Sequence, residues 1–480
     1  MREVPPPAAN GDDDPWGFVT DRVKRDPVTP DIGENDSTAT ELTKGARLND
    51  AGSESAMQAL RRRARPLAIA AALVYLFGLM TEVVIASRFV SELGPIALVI
   101  IYPLGAIGLI SVALVQIKWI DRIPRARAFK FVTLGYGAAF VIGLIFVAIP
   151  STTVWGTGAV WLIADQLNFL LPLIVWALIG DLFNAGEGRK IYPWITTWQY
   201  GGQLIGLAIP ALAPLLFIPL GIPLPWLLVV CPIGIVALGF LLPRALKDRS
   251  ISRGHGRDES LGESFRSAWQ FVGGVKAFRA MFVTSIFVFI AGMSLEASFV
   301  SSADRILGDA AKLQIVYGGT LVVVFAIATT LHLFYTTKLL EKFNIPGSLM
   351  VLPIFTISAS IVLIAGLAFD FLPVLIIGII AWWVPRWSID EVARRASLAL
   401  VPDEKRARVS FLVDLVPFAS GLLVAGGITW IVATLDLPIA APVIALPFAI
   451  VALIAAQIMR KNWQESLLDP SLRRRKRLSG

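Results

Sequence analysis

A chain of 480 residues with 56% hydrophobic residues, 16% charged residues and a mean hydropathy of +0.70 is too apolar for a soluble globular protein. Its net charge of +8 is not a nucleic-acid footprint, because the basic residues cluster in short loops between apolar runs. A lone cysteine, Cys231, excludes internal disulfides, and two histidines leave little for metal or acid–base chemistry.

Residues 1–60 are rich in Pro, Asp, Glu, Ser and Thr and hold neither an apolar core nor a signal peptide, so they read as a disordered tail. About twelve apolar stretches follow, each near the roughly 20 residues a helix needs to cross a hydrocarbon core. They lie at 67–90, 94–117, 131–149, 155–182, 193–218, 223–243, 280–302, 314–337, 346–368, 371–393, 409–434 and 439–459. Arginines at 61, 62, 63 and 65 precede the first. Basic residues follow the second (Lys118, Arg122, Arg125, Arg127, Lys130), the fourth (Arg189, Lys190), the sixth (Arg244, Lys247, Arg249) and the tenth (Arg394, Arg395, Lys405, Arg406). The opposite loops are poor in charge, the widest being Ser301–Lys312. Positive charge is retained inside, so both termini are expected in the cytoplasm of a bacterial cell, with a multi-pass inner-membrane chain between them.

The longest loop divides the spans six and six. The expected organisation is a tail at 1–60, a six-helix bundle at 61–245, a linker at 246–278, a second bundle at 279–462 and a basic tail at 463–480. Within the linker, Phe265, Ala268, Trp269 and Val272 fall at helical spacing and predict an amphipathic helix on the cytoplasmic surface.

The two halves echo each other. Lys118-Trp-Ile-Asp121-Arg122-Ile-Pro124 returns as Lys338-Leu-Leu-Glu341-Lys342-Phe-Asn-Ile-Pro346, about 220 residues later. Asp181 before Glu187-Gly-Arg189 matches Asp390 before Glu404-Lys-Arg406, and Met80-Thr-Glu82 matches Met293-Ser-Leu-Glu296. Halves repeated in the same orientation are parallel repeats about an axis along the membrane normal. The predicted fold is an all-α membrane protein with twelve transmembrane helices in two parallel-repeat six-helix bundles.

On these residues the chain resembles the major facilitator superfamily. Lys118-Trp-Ile-Asp121-Arg122 looks like a relaxed form of that family's signature, without the glycine ahead of the acid. Ser91-Glu-Leu-Gly94, Asp181-Leu-Phe183 through Gly201-Gly202, and Arg394-Arg-Ala-Ser-Leu-Ala-Leu-Val-Pro402 followed by Arg406 resemble prokaryotic relatives of the ATP/ADP translocases. The resemblance implies a twelve-helix fold and exchange of nucleotides or other organic anions. The translocases' membrane lysines, however, have no counterpart in the central spans here.

An ionisable residue within a span is a functional candidate, because burying it alone costs several kcal/mol. Four stand out: Glu82, Asp165, Glu296 and Arg386, in the first, fourth, seventh and tenth spans, with Asn168 one turn from Asp165. In a major facilitator-like fold those spans line the central cavity. Arg386 is then the expected anion or ion-pair site. The carboxyls are coupling candidates that carry a proton or meet a cation. Fixed ion pairs between helices are the structural alternative. At the cytoplasmic helix ends, Asp181, Arg189, Asp390, Arg394, Arg406 and Asp414 are expected to form salt bridges between the halves that close an inner gate.

Gly201, Gly202 and Gly206 predict close helix packing. Trp382, Trp383 and Trp387 flank Arg386, where they either stack on a flat cargo or pack the core. No phosphate loop and no metalloprotease or serine-hydrolase motif occurs. The expectation is a non-enzyme without cofactor or metal, whose partners are the lipid bilayer, a small-molecule solute and a coupling proton. Its predicted activity is alternating-access transport of a small solute, with organic anions or nucleotides as candidates. Proton-coupled export of a neutral or weakly charged solute, and a non-transporting receptor or scaffold, are the rivals.

Overall fold

The computed structural model describes residues 36–120, 124–183, 185–246, 261–398 and 400–468. In lipid each backbone N–H and C=O must be satisfied internally, so continuous runs of Leu, Ile, Val, Ala and Phe become helices. The first half holds α1 (Asp36–Leu93), α2 (Ile96–Ile120), α3 (Arg125–Ala148), α4 (Thr153–Leu182), α5 (Ala185–Phe217) and α6 (Trp226–Ala245). After α7 (Leu261–Gly274), the second half holds α8 (Lys276–Leu307), α9 (Ala310–Phe334), α10 (Thr336–Ser348), α11 (Val351–Ala368), α12 (Leu372–Pro385), α13 (Glu391–Leu398), α14 (Asp403–Leu435) and α15 (Ala440–Leu467). Eleven segments are long and apolar enough to cross a membrane; the described apolar part of α2, Ile96–Val112, is shorter.

The two halves repeat one pairing scheme. In the first, α3 packs on α4 and α6; in the second, α11 packs on α12 and α15. Between halves, α2 meets α14 and α5 meets α9, the exchange expected of two similar blocks related by a two-fold rotation. Large apolar side chains such as Ile107, Ile145, Leu212, Ile233, Ile361 and Ile454 point outward, as a lipid-facing surface requires. Trp155, Trp226 and Trp430 are exposed at the end opposite the basic loops, where an aromatic belt would sit.

Several expectations change. Residues 36–59, within the expected tail, are helical as the first part of α1, with no proline between Pro30 and Pro66 to break it. The compact units Met1–Ala59 and Leu60–Gly480 divide there. Residues 1–35, 247–260 and 469–480, and with them most of the expected tails and linker, lie outside the described residues, as do Asp121 and Arg122. The loop expected at 301–312 shrinks to two residues. Gly308 ends α8 at φ 60°, the left-handed conformation glycine adopts freely, and the Asp309 side chain caps α9 by accepting from the Lys312 N–H at 2.8 Å. The repeat segment after the eighth span is a helix, α10, broken at Asn344, rather than a loop. The linker helix α7 buries Ala268, Phe271 and Val272 against the protein, while Trp269 is exposed. Its apolar face therefore meets α8 and α14 rather than the bilayer alone.

Gly202 and Gly206 place α5 against the backbone of α1, at Ala72 and Leu76, where an added methyl has no room; Gly201 faces open space. The Gly202→Ala variant is thus expected to lose its monodisperse peak in size-exclusion chromatography, whereas Gly201→Ala keeps it.

Candidate functional site

Three of the four intramembrane charges come together. Glu82 on α1, Asp165 on α4 and Glu296 on α8 lie within electrostatic reach of one another. Glu82 and Glu296 keep accessible surface where their helices are otherwise closed. Between Val288 and Val300, Glu296 alone is not buried, and between Met80 and Ser87, Glu82 alone is not. The three carboxyls thus form one acidic cluster inside the bundle.

Local packing fixes the carboxyls. Asn168, one helical turn beyond Asp165, donates from Nδ2 to Glu82 Oε2 at 2.5 Å. Its Oδ1 has no hydrogen-bond partner and lies on Gly78, where a side chain would collide with it. Asp165 sits over Gly105 of α2, whose missing side chain gives the carboxyl its room. Glu296 lies beside the Trp383 indole, whose Nε1 has no partner of good hydrogen-bond geometry. Tyr102 on α2 and Tyr317 on α9 reach all three carboxyls electrostatically. Neither tyrosine stood out in the sequence, because a buried Tyr in an apolar run looks like ordinary core. Among the described residues, no cation forms an ion pair with Glu82, Asp165 or Glu296.

Arg386 departs from expectation. Of the two roles expected for it, it takes the ion pair, apart from the three carboxyls: it is 7% exposed and held by Glu391, at 3.0 Å from Nη1 to Oε2, with Asp390 at 3.7 Å. Phe289 and Trp387 cover its guanidinium at 4.8 and 5.1 Å. The cause is a π-helical turn, Arg386–Asp390, directly after Pro385. Proline cannot donate to the helix ladder, and the wider turn accommodates the break. Arg386, Asp390 and Arg394 then share one face.

Arg394 is the hub of this second cluster. It donates to Asp390 at 2.9 Å, to Glu391 at 2.7 Å and to Asp414, which also accepts from Ser410 at 3.1 Å. Arg395 binds Glu391 at 2.8 Å. Three arginines thus meet three acids, and the cluster carries no free formal charge.

Among the described residues, the ion pairs found at the expected gate positions Asp181, Asp390, Arg394 and Asp414 lie within one half. Asp390, Arg394 and Asp414 form one network, wholly in the second half. Asp181 pairs with Arg125, and Arg63 reaches Glu187 and the Leu182 carbonyl, all in the first half. The side chains of Arg189 and Arg406 lie outside the described residues. Each of these ion pairs stays within one half, because the acids and bases of each basic loop fall within a turn or one neighbouring helix of each other. The halves touch more closely at the opposite end, where Gln314 donates to the Pro210 carbonyl at 2.7 Å, Gly318 lies on Val83 and Ala211, and Gly426 lies on Pro103. Phe169 stacks on Phe418 nearer the centre, with centroids 4.6 Å apart, and Tyr200 meets His332 edge-on at 5.2 Å.

No family model and no curated protein matches this chain. Solved structures of membrane transporters do. The nucleoside transporter NupG superposes with a TM-score of 0.60 at 15% identity, covering 84% of this chain and 99% of that one. A bacterial homologue of the iron transporter ferroportin, in an inward-facing state, gives 0.58 at 14% identity, over 85% and 99%. A POT family transporter in complex with 5-aminolevulinic acid gives 0.59 at 13% identity, over 84% and 96%. None of these is an enzyme. At such identities the likeness establishes the fold alone, the all-α bundle that those transporter structures share.

Proposed function

We propose that this chain is a secondary transporter of a small solute, working by alternating access, with Glu82, Asp165 and Glu296 as its coupling carboxyls. One observation supports the reading: Glu82, Asp165 and Glu296, contributed by both halves, lie within electrostatic reach of one another with no ion-paired cation among the described residues. Like charges held together repel, and a proton or a cationic group relieves the repulsion. Because Glu82 and Asp165 belong to one half and Glu296 to the other, protonation or cargo binding changes the attraction between the moving blocks. That is the differential interaction a conformational switch requires.

Exchange of nucleotides is the less favoured cargo assignment. A polyphosphate reaching this cluster would meet three carboxyls, and Arg386 is already neutralised by Glu391 and Asp390. The geometry instead supports proton coupling to a solute that is not a polyanion. Twelve spans in a bacterial inner membrane, with both termini on the cytoplasmic side, follow from the basic loops. In this reading the Arg394 and Arg125 networks stiffen the cytoplasmic ends of their own halves, which rock as blocks.

The test is solute-driven proton movement. Purified protein in vesicles loaded with a pH-sensitive dye is challenged with nucleosides, dipeptides, amino acids and organic amines. At least one class is expected to shift the internal pH at a rate above protein-free vesicles. If the whole panel leaves the dye silent, and no solute raises the protein's melting temperature, the transporter reading fails.

A further inference from the structure

We infer that the outer face of the α3–α6 pair holds an anionic phospholipid from the leaflet at the basic end, its phosphate on Lys130 and Arg244 and one acyl chain in the groove between the two helices. The inference stands apart from the transport cycle and needs only that the chain lies in a bilayer.

The headgroup end is built from cations of two helices. Lys130, in the second turn of α3, puts its Nζ 4.9 Å from the centre of the Phe240 ring on α6. The Arg244 guanidinium, one turn beyond Phe240, lies 5.9 Å from the same centre. Phe240 is 37% exposed and Arg244 is exposed, so the pair sits at the surface rather than inside the bundle. Among the described residues neither cation is in an ion pair, whereas Arg125, nearby on α3, holds Asp181. Arg127, one turn before Lys130, is exposed as well. A ring face answers only part of a cation's charge, and two cations on one ring repel each other. A phosphate between them removes that repulsion, and basic residues at a membrane surface draw anionic lipid.

The groove is the second, independent observation. Val141, Ile145 and Ala148 line it from α3, and Val229, Ile233 and Ala237 from α6. Its volume is about 640 Å³, against roughly 30 Å³ for a water molecule, and all of its lining side chains are apolar. Such a slot suits hydrocarbon. It is also continuous with the charged end. Val229, Ile233, Ala237, Phe240 and Arg244 recur every three or four residues and are all exposed, so they form one face of α6. Lys130, Leu134, Ala138, Val141 and Ile145 follow the same spacing on α3. Behind this face Gly137 lies on Val236 and Gly239 on Thr133, which closes the two helices together and leaves the groove open outward.

Length agrees with a single leaflet. At about 1.5 Å per residue, Ile233 lies about 16 Å from Arg244 along α6, close to half of the roughly 30 Å hydrocarbon core. A chain hanging from a phosphate at Arg244 therefore passes Ala237 and ends near the middle of the groove. A zwitterionic headgroup brings its own cation and leaves the basic pair half answered. A net negative one does not.

Native mass spectrometry makes the test. The full chain, purified in a mild detergent, is mixed with equal amounts of dioleoylphosphatidylglycerol and dioleoylphosphatidylcholine, and the retained lipids are counted. Phosphatidylglycerol is expected to be retained preferentially and to raise the melting temperature more than phosphatidylcholine does. Lys130→Gln/Arg244→Gln is expected to weaken its retention about tenfold or more, with an unchanged melting temperature in detergent alone. Ala237→Phe, which fills the groove and keeps both charges, is expected to weaken it several-fold. Arg279→Gln/Arg460→Gln, which removes exposed cations from the basic end of the other half, is expected to leave it unchanged. Equal retention of the two lipids, or a preference that survives in Lys130→Gln/Arg244→Gln, overturns the inference. Full retention by Ala237→Phe overturns it too, and so does glycerol phosphate stabilising the protein as well as the lipid does, since the groove would then play no part.

Discussion

The Glu296→Gln variant is expected to lose solute-driven proton movement down to the level of protein-free vesicles, while its melting temperature does not fall. The two halves of that result come from the same feature. Among the described residues Glu296 has no basic partner, so glutamine keeps the shape and strands no opposite charge. Removing one of three mutually repelling acids is neutral or mildly stabilising for the fold. The coupling chemistry, in contrast, needs a group that changes charge within the cycle, and an amide does not. Dye-reported proton flux and a melting curve on one preparation separate the effects. A fall in melting temperature with preserved flux would show that Glu296 is structural. Asn168→Ala should be intermediate, since Glu82 loses the 2.5 Å hydrogen bond that orients it but remains a carboxyl.

Arg394→Ala is expected to do the opposite and unfold the second half's basic end. The guanidinium is almost fully buried, at 4% side-chain exposure, and answers three acids at once. Its loss leaves Asp390, at 9% exposure, and Glu391, at 22%, short of positive charge. Breaking a buried ion-pair network this way costs about 3–5 kcal/mol. The expected readout is a large drop in melting temperature or loss of folded protein on purification. Arg394→Lys should rescue only part of this, because a single ammonium cannot match the fork that reaches Asp390, Glu391 and Asp414 together. Asp414→Asn should be mild, since that carboxylate is 41% exposed and water screens the pair. A stable Arg394→Ala protein would mean the network is dispensable to the fold.

Much of the architecture was legible because its cause is local. Membrane-crossing length and the basic loops are properties of contiguous residues, and so is the requirement that lipid places on the backbone. Glu82, Asp165 and Glu296 were legible for a related reason, since a carboxyl inside an apolar run is costly wherever the helix ends up. Tyr102, Tyr317 and the place of Trp383 beside Glu296 were not, because an aromatic residue in an apolar run carries no mark of which neighbour it will face.

The sequence by itself determined that this chain crosses a membrane in two similar blocks and buries a few acids, because those facts follow from hydropathy, repetition and desolvation along the chain. Only the tertiary structure decided how the charges sort. One π-helical turn after Pro385 swings Arg386 onto Glu391 and away from the carboxyls, leaving their cluster acidic. A turn's width and the helix packed beside it lie outside what spacing along a chain records, because electrostatic partners are chosen by distance in space.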